Sequence, residues 1–233
     1  MLAVSPSHVI NPALHAGQTY DPLKDFEPVT VLAYTHQVVV AHPSVPANNL
    51  KELLAYAKAN PGKLNYGSAG TGSATHLNME LLKTMAGVNI VHVPYKGSTQ
   101  ARQGVLGGEV QLAVDGLLPL QPLIKEGKLK VIAVTSSKRP QSNPELPTVG
   151  ETVPGYASDT WYGLLVRSGV PKEVVPALHQ AAVKALQNPG VREGLQKLGA
   201  DPAGNTPAEF RTFLAKEQQV WTKVLKDAGV KPQ

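Results

Sequence analysis

The chain has 233 residues, of which 42% are hydrophobic and 17% charged, a balance that supports one large or two small cored domains and argues against disorder. It carries no cysteine, which excludes disulfides, thiolate zinc sites and cysteine nucleophiles together. The net charge of +5 comes from scattered Lys and Arg without a dense basic block, so no nucleic-acid partner is expected and the surface suits anionic ligands.

Residues Met1 to Val9 have neither a basic n-region nor a long apolar core, so no signal peptide is read there. The richest apolar stretch, Gly116 to Ile124, is short and broken by Pro119 and Pro122, so the chain is not expected to insert in a membrane. Val29 to Val40 reads as a strand region. Leu50, Leu53, Leu54 and Ala57 then repeat at helical spacing, with Asn48 or Asn49 as cap and Pro61-Gly62 as stop. Leu64 to Tyr66 reads as a short strand, followed by a glycine loop and a helix over about Ala74 to Met85. Further strands are expected at Ile90 to Val93, Val110 to Val114 and Leu129 to Thr135, with helical turns between them.

From Lys138 to Tyr156 the periodicity stops at Pro140, Pro144, Pro147, Gly150 and Pro154, a loop and a candidate lobe boundary. Trp161 to Val166 returns as a strand. Pro171 is read at the first position of a helix whose face is Val174, Val175, Leu178 and Ala182. The last helix opens on the capping box Thr206-Pro207-Ala208-Glu209 and buries Phe210, Phe213, Leu214, Trp221, Val224 and Leu225. Strands alternating with helices define an α/β fold.

The segment Tyr66 to His76 sits between a strand and a helix and holds Gly67, Gly70 and Gly72 with hydroxyls on Ser68, Thr71 and Ser73. Glycines allow several N–H groups to converge, and a helix N-terminus adds partial positive charge, which makes an anion cradle. The alternative is a tight turn in which Ser73 only caps the helix. No lysine follows Gly72, so this is not a Walker loop, and Thr75 stands where a dinucleotide fingerprint needs its third glycine. Tyr95 and Lys96, after the next strand, are placed to meet a ligand or simply to lie at the surface. Asp115 at a strand end either accepts from a ligand or is a turn residue. No nucleophile elbow or His-Glu-x-x-His is present, and nothing fixes a triad of Ser73, His76 and Asp115. His76 and Glu80 at i, i+4 lack a third partner for a metal. Neither enzyme activity, a cofactor nor a metal is expected.

The ordered motifs His8-x-Ile10-Asn11-Pro12-x-Leu14, Tyr20-Asp21-Pro22-x-Lys24-Asp25-Phe26, the Gly67 to Ser73 loop with His76, and Val93-Pro94-Tyr95-Lys96-Gly97 resemble the Bug family. These are substrate-binding proteins of tripartite tricarboxylate transporters. Leu146-Pro147-Thr148, Trp161-Tyr162-Gly163-Leu164 and Glu217 with Trp221 extend the resemblance along the whole chain. It implies a two-lobed, type II periplasmic-binding-protein-like α/β fold with two crossover strands. Residues 1–36 and 160–233 then form lobe one and 37–159 lobe two. It also implies a periplasmic location, permease subunits as partners and a small carboxylate ligand held between two loops. The Gly67 to Ser73 loop matches the second of these. Ser68, Ala69, Gly70, Thr71, Gly72, Ser73 and His76, with Tyr95, Asp115 and His8, are therefore the candidate ligand-binding residues.

Family members also carry a first loop of the form Pro-Phe-x-x-Gly-Gly-x-x-Asp, which does not occur in this sequence. The expectation is thus of a lobe one without its first strands, and of weak carboxylate binding. A ligand-sensing module that presents a carboxylate to a signalling or regulatory partner is the alternative function.

Overall fold

The computed structural model describes residues 1–4, 7–15, 17–227 and 229. The chain divides into two units, Met1–Thr35 with Thr160–Gln233, and His36–Asp159.

In the first unit, strands β1 (Leu2–Val4), β2 (Phe26–Thr35), β8 (Thr160–Arg167) and β9 (Ala200–Pro202) form an antiparallel sheet in the order β1-β8-β2-β9. Its helices are α1 (Ser7–Leu14), α6 (Val174–Gln187), α7 (Pro189–Lys197) and α8 (Pro207–Asp227). Trp161 and Trp221 are fully buried, and Glu217 Oε2 accepts from both indole N–H groups at 3.3 and 3.1 Å. A buried indole needs a partner for its one polar hydrogen, and a single carboxylate supplies both. The capping box closes as expected: Glu209 N–H donates to Thr206 Oγ1 and Thr206 N–H to Glu209 Oε2. Phe213 is only half-buried, and Glu217 takes the place on the buried stripe between Leu214 and Trp221.

The second unit is a five-stranded sheet in the order β5-β4-β6-β3-β7, made of β3 (Gln37–Ala41), β4 (Asn65–Ser68), β5 (Val91–Pro94), β6 (Leu112–Gly116) and β7 (Lys130–Val134). β4 runs parallel to β5 and β6, while β3 is antiparallel to β6 and β7. Helices α2 (Leu50–Ala59), α3 (Ala74–Ala86), α4 (Ser98–Leu106) and α5 (Leu117–Lys125) connect the strands. Val38, Val39, Val40 and Ala41 are all buried, as a continuous apolar run in a doubly covered sheet requires. Val38 and Val40 join Val105, Ala113, Leu117, Leu120 and Val134 in one core, each large side chain contributing about 1.5–3 kcal/mol by leaving water.

The strand region Val29 to Val40 is two strands in two sheets, parted at the polar run Thr35-His36-Gln37 where the chain passes from one unit to the other. One expectation is corrected. Pro171 precedes its helix by three residues. Its carbonyl accepts from Val174 N–H, and the α-helical pattern begins only at Val174. Among the described residues no helix is long and apolar enough to cross a membrane.

Candidate functional site

The glycine loop leaves β4 at Ser68 and enters α3 at Ala74. Gly70 at φ 122° and Gly72 at φ 80° occupy backbone regions that a Cβ disfavours, which is why glycine stands at these turns. Ser73 caps α3, its hydroxyl accepting from His76 N–H at 3.3 Å and donating to Gly70 O at 2.6 Å. Ala69 N–H donates to Thr75 Oγ1, Gly70 N–H to Ser68 Oγ, Gly72 N–H to His76 Nδ1 and Ser73 N–H to Gly70 O. Four loop amides are thereby spent on holding the loop. Among the described residues, the N–H groups of Thr71, Ala74 and Thr75 have no partner. Two of these belong to the first turn of a 13-residue helix, where the backbone carries partial positive charge.

The floor of the loop is a stack of rings. His76 and His92 lie 4.1 Å apart at 27°, and Tyr66 packs on His92 at 4.9 Å and on His76 at 6.5 Å. Ser68 Oγ meets His92 Nε2 at 2.6 Å. Tyr66 donates to Glu80 Oε1 at 2.6 Å, and Lys83 Nζ pairs with the same oxygen at 2.5 Å. Burial lowers the pKa of both histidines, His92 to about 4, where the neighbouring His76 adds to the effect. Burial also opposes charge on Glu80, but the hydrogen bonds from Lys83 and Tyr66 outweigh it and keep the carboxyl below its usual value. Burial first, and the Glu80 carboxylate second, raise the Tyr66 phenol. At neutral pH the floor is two neutral imidazoles beside a neutralised ion pair.

One turn further along α3, the buried Asn78 donates to Gln37 Oε1 at 2.6 Å and accepts from Ser158 Oγ at 2.5 Å. The loop-bearing helix is thus tied to residues next to each end of its unit. Tyr156 adds a bond to Asn78 O.

The structure gathers Ser68 to Ser73 and His76 at one place. Tyr95 is bound to the same strand end through its N–H to Ser68 O, but its ring packs across Gly104, and its hydroxyl donates to Glu109 at 3.2 Å. A Cβ on Gly104 would fall 2.3 Å from that hydroxyl, so the glycine is what admits the ring. Asp115 is engaged through both oxygens, Oδ2 by Arg102 Nε and Nη2 at 2.9 and 2.7 Å and Oδ1 by Gly116 N–H. Lys96 is exposed. His8 belongs to the other unit, where it is buried against Tyr20, Phe26 and Trp161, with Nε2 3.2 Å from Pro22 O. Ser73, His76 and Asp115 form no relay, since Ser73 Oγ gives its proton to Gly70 O and Asp115 pairs with Arg102. His92 and Arg102 went unread in the sequence. The only local signals for the floor were the helical spacings His76–Glu80 and Glu80–Lys83.

The chain is thus a two-unit α/β protein in which a glycine loop opens a helix with unpartnered N–H groups. The family described as tripartite tricarboxylate transporter family receptor (TctC) matches residues 1–230, and the chain belongs to it. It is 32% identical over 213 residues to Protein BugT of Bordetella pertussis, covering 91% of this chain and 65% of that one. Among solved structures it is similar to R. palustris Rpa4515 with adipate (34% identity, TM-score 0.79, 100% of this chain and 78% of that one). It is also similar to MatC of Rhodopseudomonas palustris with bound malate (29% identity, TM-score 0.73, 96% and 78%). The chain spans 68, 64 and 64% of the length of three curated relatives, about two thirds.

Proposed function

We propose that this chain is a periplasmic solute-binding protein that captures a small carboxylate for the permease of a tripartite tricarboxylate transporter, without catalysing a reaction. The observation that carries the reading is the set of free N–H groups on Thr71, Ala74 and Thr75, held at the start of α3 by a loop whose other amides are spent internally. Similarity to proteins solved with adipate and with malate supports a carboxylate as the anion.

Charge-assisted bonds contribute about 1.5–3 kcal/mol each before association costs of several kcal/mol, so this loop alone supports affinity near millimolar. Titration of adipate and malate into the ¹⁵N-labelled chain tests it. The amides of Thr71, Ala74 and Thr75 should move together and saturate. Shifts that never reach those three amides, with either acid, would remove the loop as the site.

A further inference from the structure

The Gly67 to Ser73 loop is held from below by hydrogen bonds, one of them to a histidine ring nitrogen. Gly72 N–H donates to His76 Nδ1 at 3.1 Å, which requires a lone pair on that nitrogen and puts the ring proton on Nε2. Nε2 faces Glu80 Oε1 at 4.0 Å, consistent with that tautomer. A proton added to His76 therefore lands on Nδ1, where it sets a donor against the Gly72 donor. His92, on β5, covers His76 at 4.1 Å and meets Ser68 Oγ, the same oxygen that takes the Gly70 N–H.

The ionisable groups around the pair are Glu80 and Lys83 on α3 and Tyr66 on β4, besides the two rings themselves. Glu80 favours a proton on the pair and Lys83 opposes it. Two imidazolium rings in contact repel, so the pair takes up its protons one at a time.

We propose that the stacked His76–His92 pair is a proton-operated latch, which fixes the loop through Gly72 and Ser68 while both rings are neutral and releases Gly72, weakening carboxylate binding, when His76 is protonated. His92 is a positioning residue: it covers His76 and steadies Ser68. The charge gained by His76 attracts an anion, but it lies against Glu80, whereas the lost Gly72 bond lies in the loop itself. Only the effect on binding rests on the carboxylate reading; the latch does not.

The test follows the histidine ring nitrogens and the Gly72 amide of the labelled chain by NMR, from about pH 8 down to about pH 5. His76 should hold the Nε2–H tautomer at the upper end, and the Gly72 amide should move with the His76 midpoint. His76→Asn sets an amide oxygen where Nδ1 stood, so Gly72 keeps its acceptor and its amide should become insensitive to pH. His92→Asn uncovers His76 and should raise its midpoint by about half a unit or more, carrying the Gly72 transition with it. Adipate affinity should fall about fivefold or more on acidification in the unaltered chain, and less than about twofold in His76→Asn, both proteins seeing the same ionisation of adipate. An Nδ1–H tautomer, a His76 that never titrates while the chain is folded, a Gly72 amide indifferent to His76, or an affinity that is steady or rises in acid each overturns the latch. If adipate binds at no pH, the carboxylate reading fails while the tautomer and the Gly72 titration still decide the latch.

Discussion

Replacing Asn78 by alanine should cost the second unit about 3 kcal/mol. The side chain is buried and holds two hydrogen bonds, to Gln37 Oε1 and from Ser158 Oγ, each with a net contribution of about 1 kcal/mol. Gln37 is half-buried and can turn to water once released, but Ser158 is buried, so its stranded hydroxyl adds about 1–2 kcal/mol. The bond from Tyr156 to the Asn78 carbonyl survives, since it involves only backbone at that position. Both tryptophans of the chain lie in the first unit, so indole fluorescence does not report on this change directly. Hydrogen exchange read peptide by peptide does: amides of residues 74–86 and of β3 should lose protection, while those around Trp161 and Trp221 keep theirs. A double-mutant cycle with Ser158→Ala should return a coupling of about 1 kcal/mol. A loss below about 1 kcal/mol for Asn78→Ala, or a coupling near zero, would refute the assignment of Asn78 as the tie between helix and unit ends.

Gly72→Ala forces a Cβ into a left-handed conformation at a cost of about 1–2 kcal/mol. It should weaken adipate binding about tenfold by calorimetry, with little change in the melting of the first unit. Stability should depend on pH with a definite sign. His8, His76 and His92 are held neutral in the folded chain, so below about pH 6.5 the unfolded state takes up protons first. Their contribution is complete above that value and declines as pH falls toward about 4, the value for His92. Melting temperature followed across this range should decline, and should decline less in His92→Phe, which keeps a ring in the stack. Glu217→Ala strands two buried indole N–H groups and should destabilise the first unit by about 2–4 kcal/mol with a shift in tryptophan emission, while Glu217→Gln restores most of both. An unchanged emission spectrum would count against it.

The features legible in the sequence are those written in local chemistry. Asn49 caps α2 by accepting from Glu52 N–H, Thr206 and Glu209 close their box, and Ser73 starts α3, each within three or four residues. The mixed α/β class follows from alternating periodicities, and the loop at the start of α3 from its glycines. What stayed hidden depends on partners far along the chain. The valines on either side of His36 suit either sheet, so periodicity alone does not assign them to different ones, and the division there rests on the family resemblance. His92 meets Ser68 across 24 residues and Arg102 meets Asp115 across 13, distances at which side-chain spacing carries no signal. α1, with Pro12 inside it, and β9, only three residues long, have too little pattern to be read.

The order of the strands also has a consequence for synthesis. Residues His36–Asp159 are one uninterrupted stretch, and every strand of that sheet finds its neighbours within it. β2 precedes that stretch, yet both its neighbours, β8 and β9, follow it. Strand β2, ten residues long, therefore waits for more than a hundred further residues before its ladder can close. During that interval it is the segment of this chain most exposed to mispairing, and the one a chaperone would have most reason to hold.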